Sequence, residues 1–113
     1  MKFLKKDEPF SQDLSLAALS FTTSLPNKPF KLEQVYFKST VAIVESISIT
    51  IIDADGTDYD QLVRNVNLPG ESSYTFRPQG EANYHAGCQV KVEITDANGV
   101  GVVTGKVKTS ELR

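Results

Sequence analysis

Hydrophobic and polar residues alternate with a period of two along most of this chain. In "SISITII", Ile47, Ile49 and Ile51 fall on one face together with the preceding Glu45, and the other face carries mainly serine and threonine. A period of two is the spacing of a β-strand that buries one face, and β-branched side chains favour that conformation. We therefore predict a strand whose three isoleucines face the core.

The same alternation recurs in three further segments. The side chains predicted to share an inner face are Val90, Val92 and Ile94 in "QVKVEIT" and Tyr74 and Phe76 in "SYTFRP". In "FKLEQVYF" the apolar parity switches between Leu32 and Val35. An extra residue in a strand produces such a switch, so we predict a β-bulge near Glu33 and Gln34.

Two other segments are less regular. "DLSLAALSF", from Asp13 to Phe21, alternates through Leu16 until Leu19 breaks the rhythm. "YDQLVRNV", from Tyr59 to Val66, contains one tyrosine and two valines. We predict a strand in both, because β-formers and alternation outweigh the helical signal.

Glycine-containing turns separate these segments. Asn98-Gly99 in "TDANGV" is a dipeptide suited to a tight hairpin, so we predict that "GVVTGKVK" returns as the paired strand. Gly101 and Gly105 weaken that strand or mark bulges in it. "LPGES" is predicted to form a turn as well.

About seven or eight short strands with no helix predict an all-β fold. The economical architecture is a two-sheet antiparallel β-sandwich, either immunoglobulin-like or jelly-roll-like. The absence of tryptophan and of a cysteine pair argues against an antibody-type domain. We expect residues 1–12 to form a flexible N-terminal arm and residues 13–113 to form a single domain.

Charge and composition narrow the functional classes. A net charge of −2 argues against nucleic acid as a partner, because phosphate binding needs a clustered basic surface. No apolar run approaches the roughly 20 residues of a membrane span. The single cysteine, Cys88, predicts a small half-buried strand residue in a chain that folds in a reducing cytosol. Acidic residues and no basic ones lie between Lys38 and Arg64, which predicts one acidic end of the fold.

The acidic stretch "ITIIDADGTDYD" is the candidate for metal binding. An EF-hand loop that began at Asp53 would need glycine at its sixth position and glutamate at its twelfth. Here those positions hold Asp58 and Arg64, so the EF-hand interpretation fails. An irregular Ca²⁺ site formed by Asp53, Asp55 and Asp58 is the weaker remaining hypothesis. The alternative is a turn at the Asp-Gly step with its acids in water.

No other motif predicts chemistry. His85 and Cys88 lie close together in "YHAGCQV", but each is the only residue of its kind, and we interpret both as structural. The chain has no G-x-S-x-G motif and no glycine-rich phosphate loop. We therefore predict no enzyme activity and no cofactor. Tyr36, Tyr59 and Tyr84 are the aromatic residues that could line a binding surface.

The segment from Phe30 to Thr95 resembles a family of small virion proteins of tailed phages and prophages. The matching pieces, in order, are "FKLEQVYF", "SITIIDADGTDYDQLV", "YTFRP" and "GCQVKVEIT". Cys88 is a departure, because the family more often has aspartate at that position.

The resemblance implies a structural protein of the phage particle and no catalytic role. The expected function is capsid decoration on the outside of the head, and the expected partners are the major capsid protein or other virion proteins. A homo-oligomer such as a trimer, synthesis in the host cytoplasm and final location in the virion are implied with it. Candidate assembly contacts are Lys2, Lys5, Lys6, Asp55 and Asp58. The alternative is a neck, tail or fibre module that recognises a partner protein or host carbohydrate.

Overall fold

Strands account for most of the chain. The computed structural model describes residues 3–24, 28–78, 83–95 and 100–112. In these residues the elements are β1 (Phe3–Asp13), β2 (Leu19–Thr22), β3 (Phe30–Ile43), β4 (Ser46–Ile52), a 3-10 helix η1 (Thr57–Tyr59), β5 (Gln61–Asn67), β6 (Glu71–Phe76), β7 (Asn83–Tyr84), β8 (Gln89–Ile94) and β9 (Val102–Leu112). No helix in the described part of the chain is long and apolar enough to cross a membrane.

The strands form two antiparallel sheets, which confirms the predicted β-sandwich. One sheet has the order β1-β9-β3-β6, with β7 also paired to β3, and the other has the order β2-β8-β4-β5. The pairs are nested: β1 with β9, β2 with β8, β3 with β6 and β7, and β4 with β5. A long hairpin folded over into two layers has this connectivity, which defines the jelly roll. The jelly-roll alternative of the sequence prediction is therefore the one that fits.

The predicted inner faces form the core between the sheets. Ile47, Ile49 and Ile51 of β4 are at most 2% exposed, and Val90, Val92 and Ile94 of β8 are at most 1% exposed. Burying an aliphatic side chain of this size stabilises the fold by about 1.5–3 kcal/mol. Glu45 shares the parity of the isoleucines and is buried as well, where it accepts a hydrogen bond from the Thr95 hydroxyl. The period-two pattern therefore identified the buried faces of both strands.

The predicted bulge is present in β3. The register of β3 against β9 shifts between Leu32 and Gln34. This shift keeps all four apolar side chains of the strand inward, and Phe30, Leu32, Val35 and Phe37 are all buried. A regular strand would turn two of the four outward, so the bulge is what allows β3 to contribute its whole length to the core.

The N-terminal residues are not placed as the expected arm. Phe3–Asp13 forms β1, and each of its residues has a partner in β9. Phe10 is buried, and its ring lies 5.3 Å from the ring of Phe21. The boundary expected after residue 12 therefore falls inside a strand. The charged residues around Phe10 gave this segment no apolar alternation, so the sequence pattern did not predict either the burial of Phe10 or the pairing of the backbone with β9.

The hairpin predicted at Asn98-Gly99 is wrong. Strand β8 pairs with β2 and β4, whereas β9 pairs with β1 and β3 in the other sheet. The connection between β8 and β9 therefore crosses from one layer to the other. Asn98 and Gly99 themselves lie outside the described residues.

The predicted strand from Asp13 to Phe21 is only partly correct. The chain turns after Asp13, whose carboxylate accepts hydrogen bonds from the backbone and hydroxyl of Ser15, and β2 begins at Leu19. Those hydrogen bonds hold the pKa of Asp13 below its ordinary value. Leu16, which the alternation placed with the core residues, is 81% exposed on this turn.

Gly105 is a position where we expect no side chain to be tolerated. A Cβ atom there would lie 2.6 Å from Cζ of Phe10, 2.7 Å from Cβ of Phe37 and closer still to the carbonyl oxygen of Tyr36. We expect Gly105→Ala to lower the free energy of unfolding by about 3 kcal/mol in urea denaturation, at the upper end of the usual cost of overpacking, because the backbone of β3 has to move. The control is Lys106→Ala at the next, exposed position of β9. Equal stability of the two variants would contradict this packing.

Phe10→Ala tests whether the N-terminal residues belong to the sheet. Removing a buried phenylalanine costs about 3–5 kcal/mol, so we expect a loss of that size in the free energy of unfolding. Asp7→Ala, at an exposed position of the same strand, is the control and should change stability by less than about 0.5 kcal/mol. An unchanged Phe10→Ala protein would restore the interpretation of residues 1–12 as an arm.

Candidate functional site: a carboxylate, imidazole and thiol cluster

The nested pairing sorts the connections to two opposite ends of the sandwich. The connections β1–β2, β3–β4, β5–β6 and β8–β9 lie at one end, where Asp13 pairs with Val102 and Ile47 pairs with Ile94. The connections β2–β3, β4–β5 and β7–β8 lie at the other end, where Ile52 pairs with Gln89. We call the first the apolar end and the second the polar end, for the residues described below.

The β4–β5 connection at the polar end holds its aspartates in a fixed loop. The Asp53 carboxylate accepts a 2.8 Å hydrogen bond from the backbone N–H of Asp55, and the backbone N–H of Asp53 donates a 2.8 Å bond to the Asp60 carboxylate. Gly56 has a φ of 124°, which glycine adopts without strain, so the predicted Asp-Gly turn is present. Asp53 is therefore held by the turn, whereas Asp58 is exposed in η1.

The β7–β8 connection touches this loop. Gly87 has a φ of 93°, and a Cβ atom on it would lie 2.9 Å from the Cβ of Ala54. The turn brings the Cys88 backbone N–H within 3.3 Å of the His85 carbonyl oxygen. Since β4 and β8 are neighbours, the residue that follows β4 and the residue that precedes β8 meet at the same edge of the sheet.

Three different ligand-type side chains converge where the two loops meet. Nε2 of His85 lies 3.5 Å from Sγ of Cys88 and 3.5 Å from Oδ1 of Asp53. The three donor atoms all lie within 4.8 Å of one another. Cys88 is 1% exposed, Asp53 is 17% exposed and His85 is 54% exposed, so the cluster reaches from the core to the solvent.

A backbone contact orients the His85 ring. Nδ1 lies 3.1 Å from the carbonyl oxygen of Ala86, and only an N–H at that position forms a favourable contact with a carbonyl. This hydrogen bond raises the pKa of His85, burial opposes it, and the carboxylates of Asp53 and Asp55 raise it further. The ring therefore turns its other nitrogen, Nε2, toward Asp53 and Cys88.

The arrangement does not have the geometry of a nucleophilic triad. In such a triad the nucleophile and the carboxylate contact opposite nitrogens of the imidazole, so that one proton passes along the line. Here the thiol and the carboxylate approach the same nitrogen, and Nδ1 is committed to a backbone carbonyl. Donor atoms that converge on one point are the arrangement of a cation site.

The structure divides the residues predicted to bind metal. Asp53 joins the cluster, and Oδ2 of Asp55 lies 4.0 Å from Nε2 of His85, but Asp58 is not a member of the group. Its other two members are His85 and Cys88, for which the sequence predicts a structural role. The missed signal was the pairing of β4 with β8, which turns three isolated residues into neighbours. Cys88 is also fully buried rather than half-buried.

The predicted basic contact residues do not form one patch. Lys2 lies outside the described residues. Lys5 and Lys6 alternate along β1, so they point to opposite faces of the sheet. The Lys6 ammonium donates a 3.2 Å hydrogen bond to the Ser24 hydroxyl and lies 4.0 Å from the Glu111 carboxylate. Asp55 and Asp58 are exposed at the polar end.

The three tyrosines proposed for a binding surface lie apart. Tyr36 sits between the buried Val35 and Phe37, so it projects from the outer face of β3. Tyr59 is 61% exposed at the end of η1. Tyr84 packs 5.6 Å from the ring of Phe30, and its burial raises the pKa of its hydroxyl.

The opposite end carries exposed apolar side chains instead. Backbone contacts bring together the segments around Gly101: its carbonyl accepts a hydrogen bond from Leu14, and Thr40 accepts one from Val102. A Cβ atom on Gly101 would lie 2.6 Å from the Val41 side chain. The large apolar residues exposed at this end are Leu16, Val41, Val44, Val100 and Val102.

The fold and the two ends define a jelly-roll β-sandwich with a mixed-donor cluster at one end and an apolar surface at the other. No protein-family model matches this chain, and no match was found among curated proteins. Among solved structures it is similar to a chain of the virus-like particle of extra small virus from the giant freshwater prawn Macrobrachium rosenbergii. That similarity has a TM-score of 0.33 and 15% identity, and it covers 100% of this chain and 82% of the viral chain. A TM-score this low carries no inference about function.

The burial of Cys88 predicts that its thiol reacts slowly with reagents in solution. We expect the native protein to react with a water-soluble disulfide reagent at least about 100-fold more slowly than the chain in denaturant, because reaction requires the β7–β8 connection to open. Absorbance of the released thiolate measures both rates, and Cys88→Ala provides the blank. Equal rates would contradict the burial of Cys88.

Proposed function

We propose that this chain is a structural protein of a bacteriophage virion and acts as a capsid decoration protein. It binds the outside of the head through protein–protein contacts made by its apolar end. The order of four sequence pieces between Phe30 and Thr95 supports the phage assignment, through the resemblance described above.

The observation that carries this proposal is the exposed apolar end. Exposed apolar side chains that cluster at one site mark protein–protein contacts, whereas scattered single ones do not. Leu16 is 81% exposed and Val44 is 54% exposed, and both stand on short connections between strands of the rigid core. A surface that is already ordered loses little conformational entropy on binding, which favours docking onto a repeated lattice.

The fold is suited to this role, by analogy only. Double-sheet jelly rolls occur in viral capsid proteins, in lectins and in cupins, so the fold alone does not choose a function. A lectin-like role as a tail or fibre module would need aromatic side chains gathered in one cleft. Tyr36, Tyr59 and Tyr84 lie on three separate parts of the molecule, which favours decoration over carbohydrate recognition.

Copy number in the particle tests the proposal directly. Quantitative mass spectrometry of particles purified from the host that carries this gene should find the protein at a fixed ratio to the major capsid protein, of the order of one copy per capsid subunit or per few subunits. A handful of copies per particle would contradict decoration and favour a neck or tail location. Absence from purified particles would overturn the virion assignment.

Serine substitutions at the apolar end test the contact surface. We expect Leu16→Ser and Val44→Ser each to weaken binding to purified heads that lack the protein by at least about tenfold, which is the effect of losing roughly 1.4 kcal/mol. Co-sedimentation with the heads measures the affinity. Leu62→Ser is the matched control, because Leu62 is 59% exposed on β5, away from the apolar end. Equal losses in all three variants would contradict the assigned surface.

A further inference from the structure

We propose that Asp53, His85 and Cys88 form a binding site for a Zn²⁺ ion that links the β4–β5 and β7–β8 connections. The site lies at the opposite end from the apolar surface, and it shares Asp53 with the calcium loop considered for the sequence. It takes one ligand from the loop after β4 and two from the loop before β8.

Two of the three donor-atom separations in the cluster have the value that tetrahedral zinc requires. Zinc bonds of about 2.3 Å to sulfur and about 2.0–2.2 Å to nitrogen and oxygen place two tetrahedral ligand atoms about 3.4–3.6 Å apart. Nε2 of His85 lies 3.5 Å from Sγ of Cys88 and 3.5 Å from Oδ1 of Asp53. Both of these separations match the requirement, and the third, between Sγ of Cys88 and Oδ1 of Asp53, is at most 4.8 Å.

The kinds of donor select the metal. Calcium and magnesium prefer shells made only of oxygen, so a thiolate and an imidazole are poor ligands for either. Sulfur, nitrogen and carboxylate oxygen together suit a borderline cation such as Zn²⁺. The nearest further ligand is Asp55, whose Oδ2 lies 4.0 Å from Nε2 of His85. That carboxylate or a water molecule completes a four-coordinate shell.

The orientation of His85 is the independent observation that points to a cation. Metal-binding histidines commonly donate their other ring N–H to a backbone carbonyl, and Nδ1 of His85 lies 3.1 Å from the Ala86 carbonyl. In the neutral form of His85 the lone pair on Nε2 then faces the Asp53 carboxylate and the Cys88 thiol, whereas in the protonated form Nε2–H donates to Asp53. A metal ion that displaces the protons of the imidazole and of the thiol can bond to all three atoms, and this displacement makes binding stronger as pH rises.

The position of the site gives the ion a structural effect. Strand β7 belongs to the sheet of β3, whereas β4 and β8 belong to the other sheet. The β7–β8 connection, which carries His85 and Cys88, is one of the connections that cross between the two layers. An ion bound to it and to Asp53 joins that crossing to the end of β4, so metal binding stabilises the polar end of the folded protein.

Calorimetric titration of the reduced full-length protein with Zn²⁺ tests the site. We expect one ion per chain, and we expect His85→Gln and Asp53→Asn each to weaken binding by more than about 100-fold, because losing a direct ligand exceeds the 10–100-fold loss for an outer-shell partner. Asp58→Asn is the matched control, because Asp58 is an exposed carboxylate in the same loop outside the cluster. It should bind Zn²⁺ as the unaltered protein does.

Cobalt substitution shows whether the thiol is a ligand. Co²⁺ bound to the unaltered protein should give the visible bands of a tetrahedral ion and a thiolate-to-metal charge-transfer band, and Cys88→Ser should lose the latter. Because a change at a buried cysteine can impair folding, His85→Gln, which alters a half-exposed side chain, provides the second readout. Zn²⁺ should also raise the midpoint of thermal unfolding of the unaltered protein and leave that of His85→Gln unchanged.

Three results would overturn the site. They are equal Zn²⁺ affinity in the unaltered and His85→Gln proteins, a Co²⁺ complex without a thiolate band, and binding of Ca²⁺ in preference to Zn²⁺. A preference for Ca²⁺ would favour the calcium site that the sequence suggests in the aspartate loop. None of these results depends on the copy number in particles or on the Leu16 and Val44 variants. The tests of the metal site are therefore independent of the tests of the proposed virion function.

Discussion

The structure depends on the position of β9 between β1 and β3. Gly105 in this strand leaves room for the rings of Phe10 and Phe37 and for close approach of the Tyr36 backbone. Strand β1 is the first strand and β9 is the last of those described, so their pairing closes the nested hairpin. This closure fixes which strands pair with each other inside it. The buried faces of β3, β4, β8 and β9 are consequences of that closure, since each strand has only one apolar face and must cover it against the other sheet.

Closure of the hairpin also decides which loops meet. Residues far apart in sequence share an end because the nested antiparallel pairing brings their connections to the same end of the sandwich. The apolar end collects Leu16, Val44 and Val100 from three connections, and the polar end brings Asp53 to His85 and Cys88. Neither grouping exists in the unfolded chain, so whatever each end binds recognises the folded protein.

Local sequence patterns predicted well which face of each strand is buried, but they predicted poorly which strands pair with each other. The alternation at Ile47, Ile49 and Ile51 and the parity switch around Glu33 are local properties, and the structure confirms both. The hairpin at Asn98-Gly99 failed because a turn signal says that the chain bends, not which strand it rejoins. The metal-type cluster was missed for the same reason. Its spacing in sequence is 32 residues from Asp53 to His85, and only the pairing of β4 with β8 makes those positions adjacent.

The cluster and the apolar surface make different physical demands on the same scaffold. A cation site needs donor atoms held within a few tenths of an ångström, and the hydrogen bonds around Asp53 and His85 supply that constraint. An apolar contact needs area and shape more than individual atomic positions. Placing the two at opposite ends of a sandwich whose principal extents are 43, 29 and 24 Å lets each meet its demand without straining the other. A jelly roll separates the two ends by the length of its strands, and this separation allows one small domain to keep the donor cluster at one end and the exposed apolar side chains at the other.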